Sequence, residues 1–382
     1  MPSLRLPTAA GGLAEFALSP PSPFPARAAG GFPRVVYAAA HVVVEAAAPS
    51  WIDWDRTLAF RHRLWDLGFK VAEAMDTAQR GMGLDWPGAQ ALIGRALAEA
   101  KTRPDADLAC GAGTEQLDPA AVSSLDDVVA AYEEQIGFVE ARGGRTIMMA
   151  SRALARIAHG PDDYARVYDR ILAQARAPVI LHWLGDMFDP ALAGYWGARD
   201  FEAAMPVALD VIARHAGRID GIKISLLDAD KEIALRRRLP AGVRMYTGDD
   251  FNYAELIAGD GDHHSHALLG IFDPIAPAAA AALARLGAGD RAGYDAILAP
   301  TVPLSRKIFE APTRFYKAGV VFLAWLNGFQ DAFVMLDGME AERDIAHYAE
   351  VFRLADRAGL LVDPDRACAK MKALMASRGL DA

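Results

Sequence analysis

Asp220-Gly221-Ile222-Lys223-Ile224-Ser225 places a lysine inside a short apolar run that is rich in β-branched residues. Runs of this kind, about four to eight residues long, are typical of buried strands in a parallel sheet. Burial removes water from the ammonium group, which favours the neutral amine and lowers the pKa of the lysine. The neutral amine is the form that attacks a carbonyl carbon. When the strand is considered by itself, a structural ion pair with Asp76 or Asp249 explains the buried lysine equally well.

Short apolar runs alternate with alanine-rich stretches of helical period along most of the chain, which indicates a parallel sheet covered by helices. Eight strands within about 250 residues match the size of a TIM barrel. The predicted strands are Arg34–Tyr37, Phe69–Ala72, Asp107–Ala109, Thr146–Met149, Val179–His182, Gly221–Ile224, Arg244–Tyr246 and Leu268–Phe272. The outer helices predicted between or after them include Trp86–Ala100, Leu125–Ala141, Asp162–Ala175, Phe201–Ala216 and Ile275–Leu286. The predicted fold class is therefore α/β, a (β/α)₈ TIM barrel with a C-terminal helical extension.

The pattern changes after the eighth strand, where only helical periodicity remains. We expect helices at Tyr294–Phe309, Tyr316–Asn327, Glu340–Ala358 and Pro364–Ser377. The predicted division of the chain is an N-terminal arm (1–33), the barrel (34–286) and a C-terminal helical region (287–382). The helical region either caps the barrel or forms an oligomer contact, and the sequence leaves both open.

Composition argues against several classes of protein. Of the 382 residues 53% are hydrophobic, which is enough for a large core, and the formal net charge of -9 gives no attraction to nucleic acid. Cys110 and Cys368 are too few for a disulfide framework and fit a reducing cytoplasm. The most apolar late segment, Gly319 to Phe329, is shorter than the roughly 20 residues of a membrane span. We expect a cytoplasmic protein without nucleic-acid or membrane partners.

Several motifs together resemble the dihydrodipicolinate synthase and N-acetylneuraminate lyase superfamily. Gly221-Ile222-Lys223 and the later Tyr246-Thr247-Gly248-Asp249-Asp250 are similar to two consecutive barrel strands of that family. Gly270-Ile271-Phe272-Asp273-Pro274 resembles its eighth strand, and Phe309-Glu310-Ala311-Pro312 followed by Lys317 resembles its helical tail. The order and spacing of the motifs carry the resemblance, which identifies the chain as a divergent branch of the superfamily.

This resemblance implies a class I lyase or aldolase, in which a lysine forms a Schiff base with a 2-oxo acid and a tyrosine relays protons. Lys223 matches the lysine by position. His182, at the end of Pro178-Val179-Ile180-Leu181-His182, stands at the position of the tyrosine. Histidine can transfer protons there, because its ordinary pKa of about 6.5 lies near operating pH. We expect no cofactor and no metal ion.

The loop after the second strand departs from the family's G-T-T-G-E pattern. Asp76 replaces the first threonine, Thr77 follows it, and Gln79 replaces the glutamate. The Asp76 carboxylate would repel a 2-oxo carboxylate, so a neutral keto or sugar-derived carbonyl substrate fits better. The family's arginine after its tyrosine is also missing, since Leu184-Gly185-Asp186-Met187 stands there. Retro-aldol or dehydration chemistry on such a substrate is the predicted function.

Trp183, Gly248, Asp249 and His41 complete the predicted set of substrate contacts. Trp183 is expected to stack on the C–H face of a sugar, and Gly248 and Asp249 lie at the end of the seventh strand. His41 follows the first strand. The alternatives are that Asp249 only braces its strand end and that His41 is a hydrogen-bonded histidine beneath the N-terminal arm.

Asp260-Gly261-Asp262-His263-His264-Ser265-His266 has the composition of a metal site, but it precedes the eighth strand and is expected at the N-terminal face, away from the site. Two other functions stay open. One is a divalent-metal-dependent isomerase or hydrolase that uses His41, Asp76, His182 and Asp249. The other is a non-catalytic sugar-binding barrel. We also expect a homo-oligomer, a dimer or a tetramer, as is frequent for related barrels.

Overall fold

A closed barrel of eight parallel strands forms the sheet of the computed structural model, which describes residues 1–8, 11–21, 23–24 and 31–380. Each strand is hydrogen-bonded to the next in chain order, and the eighth to the first. The strands are β1 (Val36–Ala39), β2 (Lys70–Glu73), β3 (Leu108–Ala112), β4 (Arg145–Met148), β5 (Val179–Leu184), β6 (Ile219–Ser225), β7 (Arg244–Thr247) and β8 (His266–Leu269). The predicted (β/α)₈ barrel is confirmed.

Helices alternate with the strands and then continue to the C-terminal end. They are α1 (Trp54–Asp66), α2 (Trp86–Ala100), α3 (Leu125–Ala141), α4 (Arg152–Ile157), α5 (Pro161–Gln174), α6 (Phe201–Arg214), α7 (Ala229–Arg236), α8 (Tyr253–Ala258), α9 (Ala276–Gly287), α10 (Arg291–Leu298), α11 (Thr301–Ile308), α12 (Tyr316–Leu326), α13 (Ile345–Arg357) and α14 (Pro364–Ser377). Polar caps fix several starts. Asp85 accepts the N–H of Gly88 at α2, and Ser124 forms a capping box with Asp127 at α3.

Some predicted boundaries are wrong. The first and eighth strands, predicted at Arg34–Tyr37 and Leu268–Phe272, are β1 and β8, because the ladder hydrogen bonds start later in one strand and end earlier in the other. The single helix predicted at Tyr294–Phe309 is divided into α10 and α11. Pro300 stands between them, and proline has no N–H to continue the first helix.

The helix predicted at Glu340–Ala358 begins only at Ile345, and a 3₁₀ helix spans Leu336–Ala341 before it. Two hairpins were not predicted. One pairs Ser3–Pro7 with Leu13–Ala17 inside the segment predicted as an arm, and the other pairs Val44–Glu45 with Ala48–Ile52.

The barrel interior is filled by a layer of buried side chains that includes Tyr37, Ile147, Ile180, Tyr246 and Leu268. Side chains alternate between the two faces of a strand, so residues two positions further along point inward as well. On β5 the alternation places His182, two positions after Ile180, in the interior. On β6 it places Lys223, the residue in register with Tyr246, in the interior as well. Both side chains lie toward the C-terminal ends of their strands. Active sites of such barrels lie at that end.

Contacts between Cα atoms divide the chain into two compact units. The barrel unit consists of Arg34–Ala40 and Phe69–Gly270 and contains all eight barrel strands. The helical unit consists of Met1–Pro33, His41–Gly68 and Ile271–Ala382. The predicted domain boundaries stay a prediction. No helix in the described part of the chain is long and apolar enough to cross a membrane.

Candidate active site

Lys223 lies in the middle of β6, in register with His182 on β5 and Tyr246 on β7. Because Tyr246 belongs to the interior layer, Lys223 also points into the barrel. The lysine is 7% exposed. Burial lowers the pKa of its amine, and the negative charges of Asp76 and Asp250 oppose that shift.

No described carboxylate forms an ion pair with the Lys223 ammonium group within residues 31–380. The predicted alternative of a structural ion pair with Asp76 or Asp249 is therefore not what the structure shows. Asp249 is engaged elsewhere: its Oδ1 accepts the N–H groups of Phe251 at 2.8 Å and Asn252 at 3.0 Å. This carboxylate braces the turn into α8, and its predicted contact with substrate stays a prediction.

Gly248 provides the space that the lysine side chain occupies. A Cβ atom at this position would lie 2.7 Å from Cε of Lys223 and 2.6 Å from the carbonyl oxygen of Ile224. Both distances are far inside van der Waals contact. The missing side chain of Gly248 therefore makes room for Lys223, and the predicted contact of Gly248 with substrate stays a prediction.

His182 lies beside Lys223 on the neighbouring strand and is 1% exposed. Burial, followed by the positive charge of Lys223, lowers the pKa of His182 well below its ordinary value. The imidazole is therefore neutral at physiological pH. Its Nε2 lies 3.4 Å from Oγ of Ser225, whereas its Nδ1 has no hydrogen-bond partner among the described residues.

The loop after β2 holds the other predicted contacts. Asp76 and Thr77 lie in a 3₁₀ turn that ends at Gln79, whose φ of 62° is left-handed. Gln79 donates from Nε2 to the carbonyl oxygen of Met82 at 3.0 Å, so its amide nitrogen holds the loop. Thr77 is 1% exposed, and Asp76 is half-buried. Within this loop it is Asp76 whose charge acts on the Lys223 amine.

Trp183 and His41 were also predicted to contact substrate. Trp183 follows His182 and therefore faces the opposite side of β5, where it stacks on Phe201 of α6 with ring centroids 5.5 Å apart. The predicted stacking of Trp183 on a sugar stays a prediction. His41 lies in the helical unit, and its Nδ1 is 2.8 Å from Oδ2 of Asp273. Its Nε2 has no hydrogen-bond partner among the described residues, and its predicted contact with substrate stays a prediction.

The loop from His263 to His266 leads into β8, at the N-terminal end of the strand. Nδ1 of His266 accepts the N–H of Val35 at 2.9 Å, and Oγ of Ser265 donates to Glu232 at 2.6 Å. In the described part of the chain no three His, Cys, Asp or Glu side chains are grouped as metal ligands would be.

Ser225 and Asp250 were not among the predicted site residues. Ser225 stands two positions after Lys223 on β6 and is 2% exposed, so the period of the strand could have placed it on the same face. Asp250 is 4% exposed, and its charge acts on Lys223. To predict that the charge of Asp250 and not that of Asp249 acts on Lys223, one needs the directions of two loop side chains. The periodicity of a sequence does not give these directions.

Comparison with known proteins places the chain in a family. The family described as "Protein of unknown function (DUF993)" matches residues 4–380. The chain belongs to this family. No curated protein matches this DUF993 sequence.

Solved structures similar to this DUF993 protein have the predicted fold. The 4-hydroxy-tetrahydrodipicolinate synthase of Methylacidiphilum fumariolicum SolV is 13% identical with a TM-score of 0.64, over 89% of this chain and 99% of that chain. The prophage protein YagE of Escherichia coli K12, a dihydrodipicolinic acid synthase family member solved with pyruvate, is 13% identical with a TM-score of 0.64, over 91% and 99%. Dihydrodipicolinate synthase of Aquifex aeolicus is 11% identical with a TM-score of 0.61, over 91% and 98%. The predicted relationship is confirmed at the level of the fold.

Proposed function

We propose that this DUF993 protein is a lyase or aldolase that forms a Schiff base between Lys223 and a small neutral carbonyl compound. The observation that carries the proposal is the buried amine of Lys223, which has a lowered pKa and no ion pair with a described carboxylate. A buried lysine is costly unless it has a partner or a chemical task. Desolvation is one of the ways in which enzymes activate a lysine nucleophile.

His182 is the proton-transfer group of the proposal. Neighbouring strands lie about 4.8 Å apart, so two residues in register begin within reach of one small substrate. The neutral imidazole of His182 can accept a proton, and the hydroxyl of Ser225 at 3.4 Å from Nε2 can orient the ring. This pairing of nucleophile and base is the arrangement that covalent catalysis requires.

The proposed steps balance without a cofactor. The neutral amine adds to the carbonyl carbon, and loss of water leaves a protonated imine. In the retro-aldol direction, His182 takes the proton from the hydroxyl group β to the imine carbon. The C–C bond then breaks, an aldehyde leaves, and the electron pair moves to the imine nitrogen as an enamine. Protonation of the enamine and addition of water release the second product and restore the amine. In a dehydration, His182 instead takes a proton from the carbon next to the imine, and the resulting enamine expels the β-hydroxyl group, which takes up that proton and leaves as water.

Charge favours a neutral substrate. The carboxylates of Asp76 and Asp250 both act on the amine of Lys223. They would repel the carboxylate of a 2-oxo acid bound at that amine, whereas they can accept hydrogen bonds from the hydroxyl groups of a keto-sugar. The predicted cytoplasmic location and homo-oligomeric state stay predictions.

Trapping with borohydride tests the proposal. Hydroxyacetone and pyruvate have similar sizes but differ in charge, and reduction in the presence of either would fix the bound carbonyl compound to the reacting lysine. We expect hydroxyacetone to label the peptide that contains Lys223, and to label it faster than pyruvate does. Peptide mass mapping measures the site, and the time course gives the rate.

Lys223→Ala should abolish this label. Lys231→Ala is the matched control, because Lys231 is an exposed lysine of α7 that pairs with Asp228 at 3.0 Å. The control should be labelled at the rate of the unaltered chain. Labelling that persists in Lys223→Ala, or that distributes over surface lysines, would refute the Schiff base. Faster labelling by pyruvate would refute only the neutral substrate.

A further inference from the structure

A cavity of about 270 Å³ lies at the N-terminal end of the barrel, within the barrel unit. Lys223 and His182 lie toward the other end of the same barrel. The residues that line the cavity are Tyr37, Arg145, Ala177, Pro178, Ile180 and Asp220. The volume is below the roughly 300 to 1,000 Å³ of sites for drug-sized ligands, so the cavity suits a small molecule.

Charged side chains of alternating sign surround this end of the barrel. Lys70 of β2 pairs with Asp107, which directly precedes β3, and Arg145 of β4 lies 3.6 Å from the same carboxylate. Further around the barrel, Arg244 of β7 pairs with Asp220 of β6. From β2 to β7 the charges therefore alternate, with a single interruption at β5.

The interruption separates Arg145 from Asp220. Pro178 directly precedes β5 and carries no charge, and β5 lies between β4 and β6 in the barrel. In the part of the chain that the structure describes, no ion pair joins Arg145 and Asp220. The cavity occupies this gap, since both charged residues and Pro178 line it.

Donors lie on the β4 side of the gap. The side chain of Arg145 is 54% exposed, and it shares Asp107 with Lys70, so its guanidinium has N–H groups left for another acceptor. Burial raises the pKa of Tyr37, and the positive charge of Arg145 opposes that shift only in part. The Tyr37 hydroxyl therefore keeps its proton, and no described residue accepts it. A guanidinium and a hydroxyl donor together suit a carboxylate.

An acceptor lies on the β6 side. The register of β6 on β5 shifts at Asp220, between Ile219 and Gly221, and an extra residue of this kind re-aims its side chain. The carboxylate of Asp220 accepts the hydroxyl of the interior residue Tyr246 at 2.6 Å and remains 19% exposed. Each carboxylate oxygen can accept a second hydrogen bond, so Asp220 can also bind an ammonium group.

We infer that this cavity binds a small zwitterion, an amino acid whose carboxylate pairs with Arg145 and whose ammonium group donates to Asp220. The carboxylate also accepts the hydroxyl of Tyr37, and the side chain of the ligand packs on Pro178 and Ile180. Such a ligand places a negative charge beside Arg145 and a positive charge beside Asp220, which continues the alternation across β5. The inference does not depend on the chemistry proposed for Lys223.

Calorimetric titration of the unaltered chain with glycine, L-alanine, L-valine and L-leucine tests this inference. We expect saturable binding of at least one of these amino acids. The acid that lacks its ammonium group and the amine that lacks its carboxylate should each have a dissociation constant at least tenfold higher. No binding of any of the four at millimolar concentration would overturn the inference. An acid or amine that binds as tightly as its amino acid would do so as well.

Arg145→Gln should raise the dissociation constant of the bound amino acid at least tenfold. Lys70 still pairs with Asp107 in this variant, so the variant should fold. Arg170→Gln is the matched control, because Arg170 is also 54% exposed and pairs with a carboxylate, Asp126, at 2.6 Å. Its dissociation constant should stay within twofold. Binding that is unchanged in Arg145→Gln would sink the assignment.

Lys223→Ala separates this site from the candidate active site. The variant should bind the amino acid within twofold of the unaltered chain, even though it loses the borohydride label. Loss of binding in Lys223→Ala would place the amino acid at the lysine and overturn the inference. Failure of borohydride trapping in the unaltered chain would refute the proposed chemistry and leave the result of the titration unaffected.

Discussion

Two glycines make room for the side chains around Lys223. A Cβ atom at Gly221 would lie 2.6 Å from the ring of Tyr246, and one at Gly248 would lie 2.7 Å from Cε of Lys223. Next to these two glycines, the side chains of Lys223 and Tyr246 occupy the space that a larger residue would take up. Both glycines belong to the sequence motifs that predicted the site, and the structure gives the physical reason for them.

Gly248→Ala should move the amine of Lys223. The new methyl group also meets the carbonyl oxygen of Ile224 at 2.6 Å, and a backbone atom cannot turn away as a flexible side chain can. We expect a loss of about 1 to 3 kcal/mol in the free energy of unfolding. We also expect Schiff-base trapping to slow at least tenfold. Urea unfolding and the borohydride time course measure the two effects.

Gly217→Ala is the control, because a Cβ atom there meets no atom within 4 Å. Its stability and trapping rate should equal those of the unaltered chain. If Gly248→Ala were as stable and as fast as this control, the lysine side chain would not lie against Gly248 as described.

Residue-level prediction from the sequence works where a strand fixes the direction of a side chain. Lys223 and His182 lie on regular strands. Their residue types and their positions along those strands were therefore enough to predict where both side chains lie. The alternation of β5 likewise places the ring of Trp183 on the opposite face from His182, where it packs against Phe201. Asp249 and Asp250 follow the end of β7, where turn hydrogen bonds and not periodicity decide the direction of each carboxylate.

The loops after β2 and β3 are tied together by Arg80, whose side chain is 1% exposed. Its Nη1 donates to the carbonyl oxygens of Ala74 and Gly111, both at 2.9 Å, and its guanidinium pairs with Glu115. The left-handed backbone of Ala74, with φ 52°, is held by this contact. Arg80 therefore fixes the start of the loop that carries Asp76.

Arg80→Ala should destabilise the protein strongly. It leaves two buried carbonyl oxygens and Glu115 without their partner, and breaking a buried ion pair costs about 3 to 5 kcal/mol. Arg170→Ala is the control, since Arg170 is 54% exposed and pairs with the exposed Asp126. This variant should lose no more than about 1 kcal/mol. Equal unfolding midpoints in urea for the two variants would contradict the role given to Arg80.

Element-level prediction succeeded for the long helices and the strands, whose periodicity is strong. It failed for short elements that depend on distant partners. The hairpin of Val44–Glu45 and Ala48–Ile52 contains an alanine run with helical propensity, and only its cross-strand hydrogen bonds make it a hairpin. The break between α10 and α11 lies at Pro300, which has no N–H to continue α10, so the signal for it is present in the sequence.

For the molecule as a whole, one buried carboxyl group links stability to pH. Glu232 of α7 is fully buried, accepts a hydrogen bond from Oγ of Ser265 at 2.6 Å, and has no described partner for Oε2. Burial raises the pKa of Glu232 to about 8 and outweighs the hydrogen bonds from Ser265 and Thr247, which lower it. A fully buried glutamate is rare in a folded protein. The composition does not show which glutamate is buried, and only the packing shows that Glu232 is enclosed.

The raised pKa has a definite sign for folding. An unfolded glutamate titrates with a pKa of about 4.3, so between about pH 4.3 and the folded pKa the native state holds one proton more than the unfolded state. The contribution of Glu232 to stability is therefore complete below the unfolded pKa and is lost as pH rises through about 8. Each unit of the pKa difference corresponds to about 1.4 kcal/mol.

Glu232→Gln should remove this dependence, because glutamine keeps the hydrogen bond to Ser265 but cannot ionise. Urea unfolding at several pH values from about 5 to 8.5 brackets the transition. The free energy of unfolding of the unaltered chain should fall more steeply with pH than that of the variant, so that the variant gains relative stability at the alkaline end. Glu133→Gln on α3, where the side chain is 40% exposed, should follow the unaltered chain. Parallel pH curves for Glu232→Gln and the unaltered chain would mean that Glu232 ionises as readily in the folded protein as in the unfolded one.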